Sequence, residues 1–123
     1  MISSTRKGKI FDDAQAALHD IKDGASIMSG GYGWSSIPVN RIRDLQRRKV
    51  SDLHAISNNI GNSGRGLALL LKGQQISHST CSYVGGNPDL EQQMLAKQVE
   101  VTLVPQGTFS ERIRAAGMGI RGF

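Results

Sequence analysis

Ala25-Ser26-Ile27-Met28-Ser29-Gly30-Gly31-Tyr32-Gly33-Trp34-Ser35-Ser36-Ile37-Pro38 sets the reading of the whole chain. The short apolar run through Ile27 and Met28 suits a strand. The glycines at 30, 31 and 33 suit a tight turn, because glycine enters backbone conformations closed to other residues. Pro38 is placed to open a helix, where its fixed φ and missing N–H cost nothing. Together these make one strand–helix unit. The spacing predicts three more downstream. A strand over 53–57 leads through a polar loop, 58–64, into a helix over 66–72. A strand over 76–84 precedes a helix that starts at Asn87-Pro88-Asp89 and runs through Leu90, Met94 and Leu95. A strand over 99–104 alternates Val99, Val101 and Leu103 with Glu100 and Thr102, the two-residue period of a sheet. Thr108 and Glu111 then fit a capping box, opening a helix that runs to about residue 116. Upstream, Ala14, Ala17, Leu18 and Ile21 share one face of a predicted helix over 11–22, which Asp23-Gly24 ends.

One helix followed by four alternating strand–helix pairs predicts an α/β fold with a largely parallel sheet. In such sheets the ligand lies outside the carboxyl ends of the strands. The loops 30–36, 58–64 and 105–108 leave those ends. They are expected to gather on one edge, with Gly31, Asn58 and Gln106 on neighbouring strand ends facing one cleft.

At 123 residues the chain allows one domain or a piece of one. Aromatic residues are only 5 %, so the core must be built from aliphatic side chains and Met. The longest apolar run, Leu67-Ala68-Leu69-Leu70-Leu71, falls far short of the ~20 residues that span a bilayer, so no membrane partner is expected. Cys81 is the only cysteine, which excludes an internal disulfide and any zinc site built on paired cysteines. No metal site is expected, and a reducing cytoplasm is the expected compartment.

The net charge is +5. Part of the excess is Arg6, Lys7 and Lys9, in a basic N-terminal extension over residues 1–10. The rest is Arg41, Arg43, Arg47, Arg48 and Lys49. These five sit on the Pro38 helix, where Val39, Ile42 and Leu45 recur at helical spacing and leave the arginines on the other, solvated face. Asp44 is spaced to pair with Arg48. No aromatic interleaves with the cluster to stack on bases, so a nucleic-acid-binding reading rests on charge alone and is not expected.

Three polar features lie at the predicted strand ends. Gly30, Gly31 and Gly33 form either a tight turn or a loop whose amides approach an anion. The loop is neither a dinucleotide fingerprint, since Ser36 occupies the third glycine position, nor a phosphate-binding P-loop, since no Gly-Lys-Ser/Thr follows. Asn58 and Asn59 suit a polar clamp or an oxyanion hole. They equally suit a turn, since Asn tolerates left-handed backbone. Gln106 between Pro105 and Gly107 carries the same two readings, with a sharp turn aiming its amide outward. His19, His54 and His78 show no ligand spacing and read as surface or partly buried histidines. Cys81 has no basic neighbour to lower its pKa and reads as a buried strand residue.

Taken in order, these stretches resemble a known family. Residues 23–38, Asp23-Gly24 through the apolar run and Gly30-Gly31-Tyr32-Gly33 to Pro38, resemble the A-type subunit signature of the family I coenzyme A transferases. Ile56-Ser57-Asn58-Asn59, Ser82-Tyr83-Val84-Gly85, Val104-Pro105-Gln106-Gly107-Thr108 and Glu111-Arg112-Ile113-Arg114-Ala115-Ala116-Gly117 are similar to its later landmarks. The stretch at Ser82 is most similar to the succinyl-CoA:3-oxoacid branch. The resemblance covers residues 11–123. Ser29, Tyr32 and Ser36 depart from the pattern, which has an apolar residue, Phe and Gly there. Arg121 stands where the pattern has Pro. The family's A-type subunit is considerably longer, so the resemblance implies an incomplete CoA-transferase fold of that type, truncated to about its N-terminal half.

The resemblance also implies a chemistry. The family moves coenzyme A from an acyl-CoA such as succinyl-CoA to a carboxylic or 3-oxo acid such as acetoacetate. The nucleophile is a glutamate of the family's B-type subunit, which reacts with the thioester and passes through a mixed anhydride and an enzyme–CoA thioester. Glu91, Glu100 and Glu111 do not match that nucleophile. The implied partner is therefore the B-type subunit of the CoA-transferase, in an oligomer, with coenzyme A as substrate and no resident cofactor. Gln106 is implied as a catalytic oxyanion-hole residue, Asn58 and Asn59 as pocket residues, and Gly30, Gly31 and Gly33 as shaping the substrate entry. The alternatives are an inactive fragment and a non-catalytic small-molecule- or nucleotide-binding module.

Overall fold

The computed structural model describes residues 10–62 and 64–122, so residues 1–9 of the basic extension lie outside it. The elements are α1 (Ala14–Ala17), β1 (Ser26–Met28), α2 (Val39–Arg48), β2 (Leu53–Ile56), α3 (Ala68–Lys72), β3 (Ile76–Cys81), α4 (Pro88–Leu95), β4 (Glu100–Leu103) and α5 (Gln106–Gly117). The four strands are all parallel and lie in the order β1-β2-β3-β4. The expected alternation and the parallel sheet are both present.

That order decides which face is covered. Each strand is laid beside the one before it, always on the same side. Parallel crossovers are right-handed, so α2, α3 and α4 must all fall on one face. The core forms there. Ile42 and Leu45 of α2, Leu70 and Leu71 of α3 and Leu90 of α4 pack with Leu53, Ala55 and Cys81 from the sheet. On the opposite face Ser26, His54, His78 and Glu100 stand in register across the sheet, with Met28, Ile56, Thr80 and Thr102 in the next row. Only α5 reaches that face among the described helices. Its Phe109, Arg112, Ile113 and Ala116 line a hollow with Met28, Ile56 and Thr80.

Local differences from the expected elements have local causes. The helix expected over 11–22 is the single turn α1. Asp13 caps it by accepting from the Ala16 N–H at 2.7 Å. Beyond Ala17 the guanidinium of Arg48 takes the carbonyls of Leu18 and Ile21 at 2.6 and 2.8 Å, which draws them away from a helical ladder. Arg48 therefore leaves the expected solvated face and ties the N-terminal segment to α2. Asp44 is buried, and its closer ion pair is with Arg47 at 2.6 Å, not Arg48 at 3.6 Å.

The expected capping box does not form. Pro105, at φ −52° and ψ 141°, turns the chain so sharply that α5 begins at Gln106 and Thr108 is already inside it. Glu111 instead bonds Arg114, with both carboxylate oxygens within 3.0 Å of Nε. The same turn makes Gly107 helical and shortens the loop expected over 105–108. Leu103 points to solvent at the sheet edge, so the apolar alternation of β4 is only partly used.

Candidate functional site

The carboxyl edge of the sheet is built by backbone pairing that outlasts the strands. Ser57 N–H donates to the Thr80 carbonyl at 3.1 Å, Ser82 N–H to the Asn58 carbonyl at 3.0 Å, and Val104 N–H to the Cys81 carbonyl at 2.9 Å. These bonds fix Asn58 and Ser82 at adjacent strand ends. The Pro105 turn then drops Gln106 beside them. Asn58 Nδ2 donates to Gln106 Oε1 at 2.8 Å and to Ser82 Oγ at 2.9 Å. The Ser82 hydroxyl has one proton and two acceptors in reach, Gln106 Oε1 at 2.7 Å and the Asn58 carbonyl at 3.1 Å.

Two donors on Oε1 leave the Gln106 amide only one orientation. Its Nε2 faces away from them and donates to Ser110 Oγ at 3.2 Å. An amide nitrogen carries two hydrogens. One is used by Ser110, and the second is free to meet a substrate oxygen, since Gln106 is exposed. Asn58 has both amide hydrogens committed within the cluster, so it positions Gln106 rather than donating outward.

The structure thus brings Asn58 and Gln106 together, although they are not on neighbouring strands. They follow β2 and β4, and β3 lies between. The bridging residue, Ser82, is a site residue that the periodicity missed. A strand drawn to residue 84 hid the fact that β3 ends at Cys81 and that Ser82 opens a strand-end loop. Asn59 takes a different part. It is buried, and its Oδ1 accepts a long bond from the Gly61 N–H at 3.4 Å inside the turn. Neither asparagine is left-handed. Gly61 carries the positive φ, +75°, and a Cβ there would stand 2.2 Å from the Arg65 carbonyl oxygen.

The glycine loop lies on the same edge. Tyr32 and Ser35 exchange backbone bonds at 3.1 and 3.0 Å, making a tight turn with Gly33 and Trp34 at its tip. At Gly30 a Cβ would meet the Ser36 carbonyl oxygen at 2.9 Å, and at Gly31 it would meet Ser57 Oγ at 3.7 Å. Gly31 therefore stands beside Ser57, one residue before Asn58. Ser36 sits at φ +60°, the left-handed region that glycine favours.

His54 and His78, unrelated in sequence, stack on the open face with ring centroids 4.2 Å apart. Their Nε2 atoms lie 2.8 Å from Thr80 Oγ1 and 2.9 Å from Thr102 Oγ1. Burial, then the charge of His78, holds the His54 pKa below its ordinary value. Burial pushes the Cys81 thiol up, which fits the reading of an unreactive strand residue.

Comparisons with known proteins place this arrangement. The family model for coenzyme A transferase matches residues 11–123. A human protein, succinyl-CoA:3-ketoacid coenzyme A transferase 2, mitochondrial, is 45 % identical over 117 residues, 95 % of this chain and 23 % of its own length. The probable A-type subunit of a succinyl-CoA:3-ketoacid coenzyme A transferase from Bacillus subtilis is 45 % identical over 116 residues, 94 % of this chain and 49 % of its own. The chain therefore spans about half the length of the bacterial relative and about a quarter of the human protein. Among solved structures, an Escherichia coli acyl-CoA transferase in thioester complex with CoA superposes with a TM-score of 0.76 at 22 % identity, covering 90 % of this chain and 23 % of that one. A variant of the decarboxylase AibA/AibB gives a TM-score of 0.74 at 22 % identity, over 88 % of this chain and 43 % of that one. At those identities the two superpositions speak for the fold alone. The family match spans nearly every residue of the chain, the edge cluster and the glycine turn included, and the chain belongs to the coenzyme A transferase family.

Proposed function

We propose that this chain supplies the A-type side of a 3-oxoacid CoA-transferase active site, moving CoA between an acyl-CoA such as succinyl-CoA and a 3-oxoacid such as acetoacetate. The nucleophile is a glutamate of the B-type subunit. Its carboxylate adds to the thioester carbonyl, and the C–S electrons leave with CoA as thiolate. The resulting acyl–glutamyl anhydride is then opened by the thiolate at the glutamyl carbonyl, releasing the acid as carboxylate. Each addition puts a negative charge on a carbonyl oxygen. Gln106 Nε2–H is the donor offered to that charge. The observation that supports this role most directly is the fixed Gln106 amide, held by Asn58 and Ser82 with one hydrogen to spare.

The chain's own glutamates support the division of labour. Glu91 is exposed on α4, Glu100 is exposed on the edge strand and Glu111 is engaged by Arg114. None stands at the Gln106 cluster. Cytoplasmic placement is part of the same reading, since the lone buried Cys81 asks for no oxidising compartment.

The test is reconstitution. The purified chain alone is expected to give no CoA transfer between succinyl-CoA and acetoacetate. Combined with a B-type subunit plus the complementary part of an A-type one, it is expected to restore transfer. Turnover by the isolated chain, abolished by replacing Glu91, Glu100 or Glu111, would overturn the proposal.

A further inference from the structure

Ser110 carries a hydroxyl proton that the Gln106 cluster does not use. Gln106 and Ser110 are four residues apart on α5, so their side chains stand on one face of the helix. Both residues are exposed. Their side chains meet at 3.2 Å, Nε2 to Oγ. An amide nitrogen accepts no hydrogen bond, so the proton in that contact belongs to Gln106 and the hydroxyl oxygen is the acceptor. The proton on Ser110 Oγ is left over. A serine inside a helix can spend it on the carbonyl one turn back. Here it meets no acceptor among the described residues.

Two spare donors therefore stand side by side, one on Gln106 Nε2 and one on Ser110 Oγ. They do not converge on a single oxygen. The two hydrogens of an amide nitrogen point apart in the amide plane. An oxygen on the second hydrogen thus lies across Nε2 from the hydroxyl. A ligand with two oxygens, one for each donor, fits instead. Asn58 and Ser82 hold Gln106 by its Oε1, which fixes the direction of the amide donor. On the transfer reading, the oxygen at Gln106 is the acyl carbonyl oxygen on which charge develops. With the donor atoms only 3.2 Å apart, the second oxygen must sit a short way along the same acyl chain. A neutral hydroxyl suits an uncharged keto oxygen. A 3-oxoacyl group carries its two carbonyls on carbons separated by one methylene, and both oxygens can face the same side. We infer that Ser110 sets the preference for a 3-oxo group: its hydroxyl donates to the 3-oxo oxygen while Gln106 Nε2–H meets the acyl carbonyl oxygen. This rests on the transfer reading above and adds to it the residue that tells a 3-oxoacyl group from a plain acyl group.

The test uses the reconstituted enzyme in both directions, with acetoacetyl-CoA and with succinyl-CoA as the CoA donor. A succinyl group has no oxygen on its third carbon. Each kcat/KM reports on the half-reaction of its own donor. Ser110→Ala is expected to lower kcat/KM for acetoacetyl-CoA about five- to ten-fold, the loss of one hydrogen bond, and to change that for succinyl-CoA less than about two-fold. Ser110→Thr keeps the hydroxyl and is expected to keep the wild-type ratio. Alanine at an exposed helix position does not threaten the fold. An equal fall for both donors would mean that Ser110 acts only by steadying the Gln106 amide, and would overturn the inference. So would no change for either donor, or loss of the preference in Ser110→Thr. The transfer reading is judged separately, by Gln106→Ala, which is expected to slow both donors alike. If Gln106→Ala slows neither, or if reconstitution gives no transfer, that reading fails and the inference falls with it.

Discussion

Asn58 and Gln106 stand 48 residues apart in sequence and 2.8 Å apart in space, joined Nδ2 to Oε1. The bond sets which end of the Gln106 amide faces outward. On the role proposed for Gln106, its loss removes a donor whose benefit appears only when charge develops. In a reconstituted enzyme Gln106→Ala is expected to lower kcat by about 10²–10³, or ~2.7–4 kcal/mol, with little change in KM. Ser82→Ala should have a smaller effect of the same kind, because one of the two donors on Oε1 remains. Steady-state kinetics of both variants check this, and a KM effect without a kcat effect would refute it.

Asn87 does two jobs with one side chain. Its Oδ1 caps α4 by accepting from the Leu90 N–H at 3.1 Å, while its Nδ2 donates to the carbonyls of Ile60 and Gly61 at 3.0 and 2.8 Å. It is buried, so truncation leaves those groups without partners. Asn87→Ala is expected to cost about 2–4 kcal/mol, the sum of a lost cap and a stranded pair of acceptors. Asn87→Asp keeps the cap and loses the donors, so it too should unfold at lower urea than wild type. An Asn87→Ala midpoint equal to wild type refutes the account.

The stacked histidines predict a pH dependence. His54 in the folded chain binds its proton more weakly than at the ordinary value of 6.5. Between the folded and unfolded values the unfolded chain therefore holds more protons, so stability rises with pH across that window. The contribution is fully present above about 6.5 and is lost as pH falls through the folded value. Unfolding midpoints measured from pH 7.5 downward should fall less steeply in His54→Gln than in wild type. His78→Gln should give a smaller change, since burial outweighs the neighbouring charge. Parallel curves for wild type and His54→Gln would count against this.

Ser36 occupies a left-handed conformation where the family pattern has glycine. A side chain in that region costs roughly 1–2 kcal/mol, while glycine costs roughly 0.5–1 kcal/mol in unfolded-state entropy. Ser36→Gly should therefore stabilise the chain by up to about 1 kcal/mol, visible as a raised thermal midpoint. A lowered midpoint would mean that the hydroxyl makes a contact worth more than the strain.

Met28, Leu103 and Ile113 are exposed on the open face and the sheet edge. Uncovered edges and apolar faces recruit other chains. Light scattering at low micromolar concentration should show self-association of the isolated chain. A sharp monomer peak with cooperative unfolding would show instead that the described core suffices.

Much of this architecture was legible in the chain's punctuation. The turn glycines, Pro38, Asn87-Pro88 and Pro105 marked where strands give way to helices, and the four strands lie where the apolar runs put them. What escaped depended on register. The meeting of His54 and His78 needs the pairing of β2 with β3, including the shift between Leu53 and His54, and no single-strand pattern contains that. Ser82 escaped because Ser and Thr continue past the end of β3 without a break in composition. The Thr108–Glu111 motif was genuine as a pattern, but a backbone turn two residues earlier had already started the helix. Arg48 looked like surface because the carbonyls it binds belong to a segment 27 and 30 residues away.

The passage of α5 to the open face reverses the direction in which the sheet grows. The three crossovers before it each step outward from β1 toward β4. A helix on the opposite face, with the usual right hand, carries the chain back instead. A strand following α5 would therefore pair with β1, not β4, and strand succession would change direction between β1 and that newcomer. Such reversals open a crevice at the carboxyl ends of the two strands that flank them. The glycine turn that leaves β1 borders that crevice, so it would be a wall of the site in a longer molecule. The coordinates of a longer relative test the argument, and a strand beside β4 there would break it.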